Sequence, residues 1–211
     1  EEHGFKKEIY LITTDADISR AWAPFAPRKS KIRYLAANTR VRDRLMLYGV
    51  KSQNIYLTGF PLPLENIGRY DDEILRGDLG LRLCNLDPQG VYHKKYYKTL
   101  SHELGMQYCP IRSSRKLTIT FAVGGAGAQR EHGVLIAKSL KKLIRDGKVL
   151  LNLIAGTKED VRVFFENALS EIGLRGEMNA GVKILYAPDK FDYFSRFNKI
   201  LRGTDILWTK P

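Results

Sequence analysis

Cysteine and histidine are scarce in this 211-residue chain, and their scarcity removes whole classes of chemistry. The two cysteines, Cys84 and Cys109, lack the paired spacing of a zinc site or a dithiol redox motif and read as buried thiols of a cytosolic protein. His3, His93, His102 and His132 are scattered, with no H-x-x-x-H pair and no His/Cys cluster, so no metal site is expected. Long apolar runs are missing too: the stretch 149–156 falls far short of the roughly 20 residues that span a bilayer, which leaves only peripheral attachment to a membrane open. There is no G-x-x-x-x-G-K-[ST] sequence, which argues against a P-loop nucleotidase.

Acidic residues are in deficit. Thirty-five lysines and arginines stand against 23 aspartates and glutamates, a net charge of +12. The excess favours polyanionic partners, whether nucleic acid, anionic lipid or phosphorylated ligands. It is spread along the chain, with no basic tail and no aromatic-basic interleaving of the kind that reads nucleic acid.

What is present is an alternation of strands and helices. Residues 9–14, 32–36 and 55–58 are short β-branched runs. Asn38 is placed to cap a helix over 39–48, and Gly49 to stop it. Residues 64–116 carry interrupted helical patterns around 72–86 and 92–104, and read as a helical connector or insertion. Tyr92, Tyr96 and Tyr97, at helical spacing, are expected to pack. From 117 onward the order is strand 117–123, helix 128–145, strand 149–155, helix 158–172, strand 182–186, helix 191–201 and strand 205–208. Such alternation with near-continuous apolar strands implies an α/β fold with parallel sheets.

The segment Gly124-Gly125-Ala126-Gly127-Ala128-Gln129 lies directly between an expected strand and an expected helix. Glycines there remove the Cβ atoms that would block a ligand, and the free N–H groups of a helix start suit a phosphate or pyrophosphate. A tight turn with no ligand is the alternative. The next strand ends Ala155-Gly156-Thr157-Lys158, without the carboxylate that would hold the ribose of a dinucleotide.

This glycine-rich segment resembles that of nucleotide-sugar glycosyltransferases with two Rossmann-like units, the B-type architecture, and in particular the lipid-acceptor branch. Thr14-Asp15, Trp22, Gly49-Val50, 55–58, Gly59-Phe60-Pro61 and the closing run 204–211 resemble that branch in order and spacing. The resemblance covers most of 9–63 and 117–211. It implies the latter part of an acceptor-side domain at 1–63 and a donor-nucleotide domain at 117–211, with 64–116 between them.

It further implies that Gly124, Gly125, Ala126, Gly127 and Gln129 face the donor diphosphate, and that Gly156, Thr157, Pro188, Asp189 and Phe191 lie by the nucleoside. Asp15, Asp17, Arg20 and Trp22 would stand on the acceptor side, Asp15 as the catalytic candidate. Arg20 takes the place where relatives often carry a histidine, and an always-cationic group cannot act as a base. The substrate implied is a nucleoside-diphosphate sugar, with UDP as the nucleotide. No cofactor or metal is required, and the site is cytoplasmic or peripheral at an anionic membrane.

Two parts of the pattern are missing: an early glycine-rich turn before Glu1 and an acidic donor loop after Pro211. The intact gene product is therefore expected to continue at both ends, with this piece alone inactive in transfer. A nucleotide-sugar epimerase or a non-catalytic nucleotide-sugar binder would share these features, and a basic nucleic-acid-binding α/β protein remains a third reading.

Overall fold

Three short β-branched and aromatic runs become parallel strands: β1 (Tyr10–Ile12), β2 (Arg33–Ala36) and β3 (Ile55–Leu57), hydrogen-bonded in that order. The computed structural model describes every residue except 2, 110–114, 124–128 and 210–211. By its contacts the chain divides into two units, Glu1–Leu62 and Pro63–Pro211.

In the first unit, α1 (Thr39–Leu47) forms where the sequence places it. Asn38 has extended backbone, and its Oδ1 accepts from the Val41 N–H at 2.9 Å while its Nδ2 donates to the Ala16 carbonyl at 3.0 Å. One side chain thus starts the helix and fastens the preceding loop. At the other end Gly49 adopts φ 93°, its N–H bonding the Met46 carbonyl and the Val50 N–H reaching back to Leu45. This is a Schellman stop, and Val50 and Leu45 also meet in the core. That core is Ile18, Ala23, Tyr34, Ala36, Val41, Leu45 and Val50. The strand expected at 9–14 is shorter: the paired residues end at Ile12 and Leu35, where the Thr13 N–H still donates to the Leu35 carbonyl at 3.0 Å. The buried Thr13 hydroxyl donates to the Leu35 carbonyl and accepts from the Ala37 N–H, both at 3.0 Å.

The second unit opens with helices α2 (Leu64–Ile67), α3 (Glu73–Leu86) and α4 (Val91–Leu104). Then follow β4 (Leu117–Ala122), α5 (Arg130–Arg145), β5 (Val149–Gly156), α6 (Glu159–Glu171), β6 (Val182–Tyr186), α7 (Lys190–Gly203) and β7 (Ile206–Thr209). The sheet is wholly parallel in the order β6-β5-β4-β7. The chain therefore winds outward from β4 to β6 and returns through α7 to lie on the other side of β4, the Rossmann-like winding that places a crevice beyond the strand ends where the direction reverses.

Alternation along the strands assigns the two faces. Ile119, Phe121, Leu151, Leu153 and Val182 pack with α5 and α6, whereas Ala122, Ile154 and Leu185 meet Tyr193, Phe197 and Ile200 of α7. Gly133 lets α5 approach closely. A Cβ there would stand 2.9 Å from the rings of both Phe121 and Phe165.

The helices before β4 are tied to the end of α7. Arg82 donates from Nε to the Thr204 carbonyl at 2.8 Å, and Arg202 pairs with Asp78 at 2.9 Å. Asp205, buried, accepts from the Thr118 N–H at 2.8 Å and from Asn85 at 3.0 Å, and pairs with Arg115. Such a buried carboxylate is tolerable because each oxygen is satisfied.

Two expectations of packing are corrected. Tyr92, Tyr96 and Tyr97 are 39–46% exposed, and α4 buries Leu100 and Leu104 instead, with non-helical backbone at Tyr96. Cys84 and Cys109 are half-buried, and desolvation chiefly raises the Cys84 thiol above its ordinary value.

Candidate functional site

The C-terminal ends of β4, β5 and β6 and the first turns of α6 and α7 meet at one edge of the second sheet. A cavity of about 300 Å³ opens there, lined by Val123, Ala155, Gly156, Thr157, Lys158, Lys190, Tyr193 and Phe194. The parallel winding explains the convergence: each strand ends on this edge and each following helix begins on it, so helix N-termini collect here.

The local framework around this edge is well tied. Arg130, at the start of α5, pairs with Asp160 in the first turn of α6 at 3.0 Å and lies over the Phe164 ring at 4.5 Å. Arg162 joins Glu159 and Glu166, and its guanidinium sits 5.7 Å from the Tyr186 ring centre. The hydrogen bond from Arg162, followed by one from Tyr186, holds the Glu159 carboxyl below its usual range. Gln129 caps α5 with left-handed backbone, φ 65°, an uncommon conformation for a residue with a side chain. Burial raises the Tyr193 hydroxyl above its ordinary value, and the ring stacks on Phe197 at 5.6 Å.

Of the residues expected on the donor side, Gly156 and Thr157 line the cavity. Gly124, Gly125, Ala126 and Gly127, which join β4 to α5, lie outside the described residues. Gln129 is exposed at the start of α5. Asp189 caps α7, its carboxylate accepting from the Asp192 N–H at 2.8 Å. Pro188 is exposed, and Phe191 is 87% exposed, with Tyr193 and Phe194 facing the cavity in its stead. Lys190 belongs to the turn 187–191 expected by the nucleoside, whereas Lys158, Tyr193 and Phe194 join the cavity beyond the expected residues. The signal of both lysines was positional, since each lysine sits within a few residues of a strand's end, where its ammonium can reach the sheet edge.

On the first unit, Asp17 accepts from the Ile18 N–H at 2.9 Å and pairs with Arg44 at 3.2 Å. The Ile18 hydrogen bond, the largest influence, holds its carboxyl below the ordinary value against the opposing effect of desolvation, with the Arg44 guanidinium adding to the lowering. Arg20 closes its own loop by donating to the Ala23 and Pro24 carbonyls at 2.7 and 3.0 Å. Trp22 packs against the first unit's core, and its carbonyl accepts from the Tyr34 hydroxyl at 3.1 Å. Asp15 is exposed, with no side-chain hydrogen bond or ion pair among the described residues.

Chemically, the described lining of the cavity offers two ammonium groups, the hydroxyls of Thr157 and Tyr193, backbone amides and two aromatic rings, and no carboxylate, imidazole or thiol. This is the equipment of anion and ring recognition. Among the described residues no cluster of His, Cys, Asp and Glu is fit to hold a metal ion, and no helix is long and apolar enough to cross a membrane.

Fold and edge together define an α/β protein with Rossmann-like parallel sheets. No protein-family model and no curated protein sequence matches the chain. Among solved structures it is similar to S. aureus MnaA in its co-structure with UDP, at 14% identity and a TM-score of 0.41, over 85% of this chain and 37% of that one. It is likewise similar to Anabaena HepE in complex with UDP and glucose, at 11% identity and a TM-score of 0.41, over 95% of this chain and 45% of that one. The chain therefore spans less than half the length of either structure.

Proposed function

We propose that this chain is part of a glycosyltransferase that moves a sugar from a nucleoside-diphosphate donor, UDP-sugar by the sequence resemblance, to a lipid-like or other hydroxyl acceptor. The observation that carries the reading is the edge beyond the end of β4, where the order β6-β5-β4-β7 reverses and where Gly156, Thr157, Lys158, Lys190, Tyr193 and Phe194 line one cavity. A diphosphate there would meet the start of α5 and the ammonium groups of Lys158 and Lys190, and the nucleoside would lie towards Gly156, Thr157 and the Tyr193 and Phe194 rings. The left-handed Gln129 supports it, since unusual backbone conformations cluster at ligand sites. Catalysis at the acceptor falls to Asp15, whose carboxylate is exposed, rather than to Asp17, which is engaged with Arg44.

The acceptor reading is supported by the first unit's surface. Phe25 is 90% and Leu47 74% exposed, and Leu47 shares a pocket with Arg28 and Lys29, a composition suited to an anionic lipid surface. A second reading, a protein that binds nucleotide sugar without transferring the sugar, is favoured by the lack of a carboxylate or imidazole in the described lining of the donor-side cavity.

Calorimetry of the full chain with UDP tests the core of the proposal. Binding is expected, and it should be lost in Gly127→Val and weakened about tenfold or more in a Lys158→Ala/Lys190→Ala variant. No UDP binding by a chain shown to be folded by circular dichroism would overturn it. A radiolabel transfer assay with the complete gene product separates transfer from binding alone. Co-sedimentation with vesicles, rising with anionic lipid and falling with salt, tests the acceptor surface.

A further inference from the structure

The opposite end of the second sheet holds a larger cavity, of about 430 Å³, that the proposed function does not use. Its walls come from the N-terminal halves of three strands and the last turns of α7: Thr118 of β4, Leu150 and Asn152 of β5, Lys183 of β6, and Lys199 and Ile200 of α7, with Lys116 and Arg115 just before β4. Arg115 is already neutralised by Asp205. Lys116, Lys183 and Lys199 are exposed and enter no ion pair among the described residues, and no carboxylate lines the cavity. Three like charges brought to one cavity from three separate segments repel one another, a cost that a bound anion removes.

The floor is built for polar contact. Thr118 and Asn152 are each 4% exposed, unusual for polar side chains on a parallel-sheet strand. Asn152 donates to the Thr120 hydroxyl at 3.1 Å, which shares a 2.7 Å bond with Thr204, and Thr204 donates to the Ile200 carbonyl at 2.8 Å. This chain of hydrogen bonds ties Asn152 through Thr120 and Thr204 to the last turn of α7, behind the cavity wall. On the same face further along the strands, the α7 contact is apolar, through Ala122, Ile154 and Leu185. The polar half is therefore a local departure from ordinary helix-on-sheet packing.

We propose that this cavity is a second anion site, which takes a small molecule or headgroup bearing one or two phosphates, with Lys116, Lys183 and Lys199 as its cations and Asn152 at its floor, the Thr118 hydroxyl being engaged with the Lys116 carbonyl at 3.1 Å. Its volume lies within the range of small-ligand pockets. It is independent of the nucleotide reading at the other edge.

The test is titration of the full 211-residue chain with pyrophosphate by calorimetry at low ionic strength, followed by salt addition. A Lys183→Ala/Lys199→Ala variant should lose at least tenfold in affinity for this site. Lys138→Ala/Lys142→Ala, which removes two exposed charges from α5, should leave it unchanged. Because a diphosphate would also meet Lys158 and Lys190, the titrations are repeated in the Lys158→Ala/Lys190→Ala background, where the component that Lys183→Ala/Lys199→Ala removes should persist. Vesicles of phosphatidylcholine with phosphatidic acid identify the source. Co-sedimentation lost in the Lys183/Lys199 variant assigns the phosphate to a lipid headgroup, and pyrophosphate binding without co-sedimentation assigns it to a free metabolite. Equal weakening by the α5 variant would reduce the effect to diffuse charge and overturn the proposal, as would unchanged titration of a folded Lys183→Ala/Lys199→Ala chain.

Discussion

The two units use the same parallel-strand geometry to different degrees of completion. In the second, helices cover both faces of the sheet, and Leu151 and Leu153 are wholly buried. In the first, α1 covers the face of Tyr34 and Ala36, while Tyr10, Ile12 and Tyr56 on the other face are 44–53% exposed. Register makes the contrast firm, because Ile12, Leu35 and Tyr56 are aligned neighbours across the three strands. A parallel sheet is stable when both faces are buried. Side chains that alternate along one strand therefore differ in consequence between the units: both sets matter in the second, and one set in the first.

The contrast can be broken by substitution, and the largest effect belongs to the second unit. Asp205→Ala removes the carboxylate that pairs with Arg115 and the acceptor of the Thr118 and Asn85 donors, so a loss of about 3–5 kcal/mol in urea unfolding is expected. Gly133→Ala pushes a methyl against the Phe121 and Phe165 rings and should cost about 1–3 kcal/mol by the same measurement. A cost near zero there would mean that α5 is free to move off the sheet.

In the first unit, Asn38→Ala removes the cap of α1 and the bond to the Ala16 carbonyl, with an expected loss of about 1 kcal/mol and faster amide exchange at Val41. Ile12→Thr on the uncovered face should change stability by no more than about 0.5 kcal/mol. A loss of 2 kcal/mol or more would show that something buries this face and would erase the contrast.

The smallest effect is one of pH. The Asp17 carboxyl is depressed when folded, so its contribution is present above its unfolded value, near 3.8, and is lost as pH falls through the lower folded value. Replacing Asp17 with Asn should flatten that part of the acid unfolding curve and leave the neutral-pH spectrum unchanged. An identical acid limb in both proteins would remove the Ile18 and Arg44 contacts from the account.

Local signals were legible wherever the cause is local. Asn38, Gly49 and the run 182–186 act through backbone conformation, capping and side-chain period, all of which a short window contains, and helix and strand appear at those places. The tyrosines of α4 misled because helical spacing states which residues share a face but not whether anything covers that face. The sequence alone thus determined the alternation of elements, the parallel class of the sheets and the position of the glycine-rich segment between β4 and α5. Tertiary structure alone decided that Lys158 and Lys190 meet at one edge and Lys116, Lys183 and Lys199 at the other, and that Asn85 and Arg115 satisfy Asp205 from distant segments. The reason is physical: capping and periodicity act over a few residues, whereas charge convergence and burial depend on which strands become neighbours, and the order β6-β5-β4-β7 is settled only when the whole unit packs.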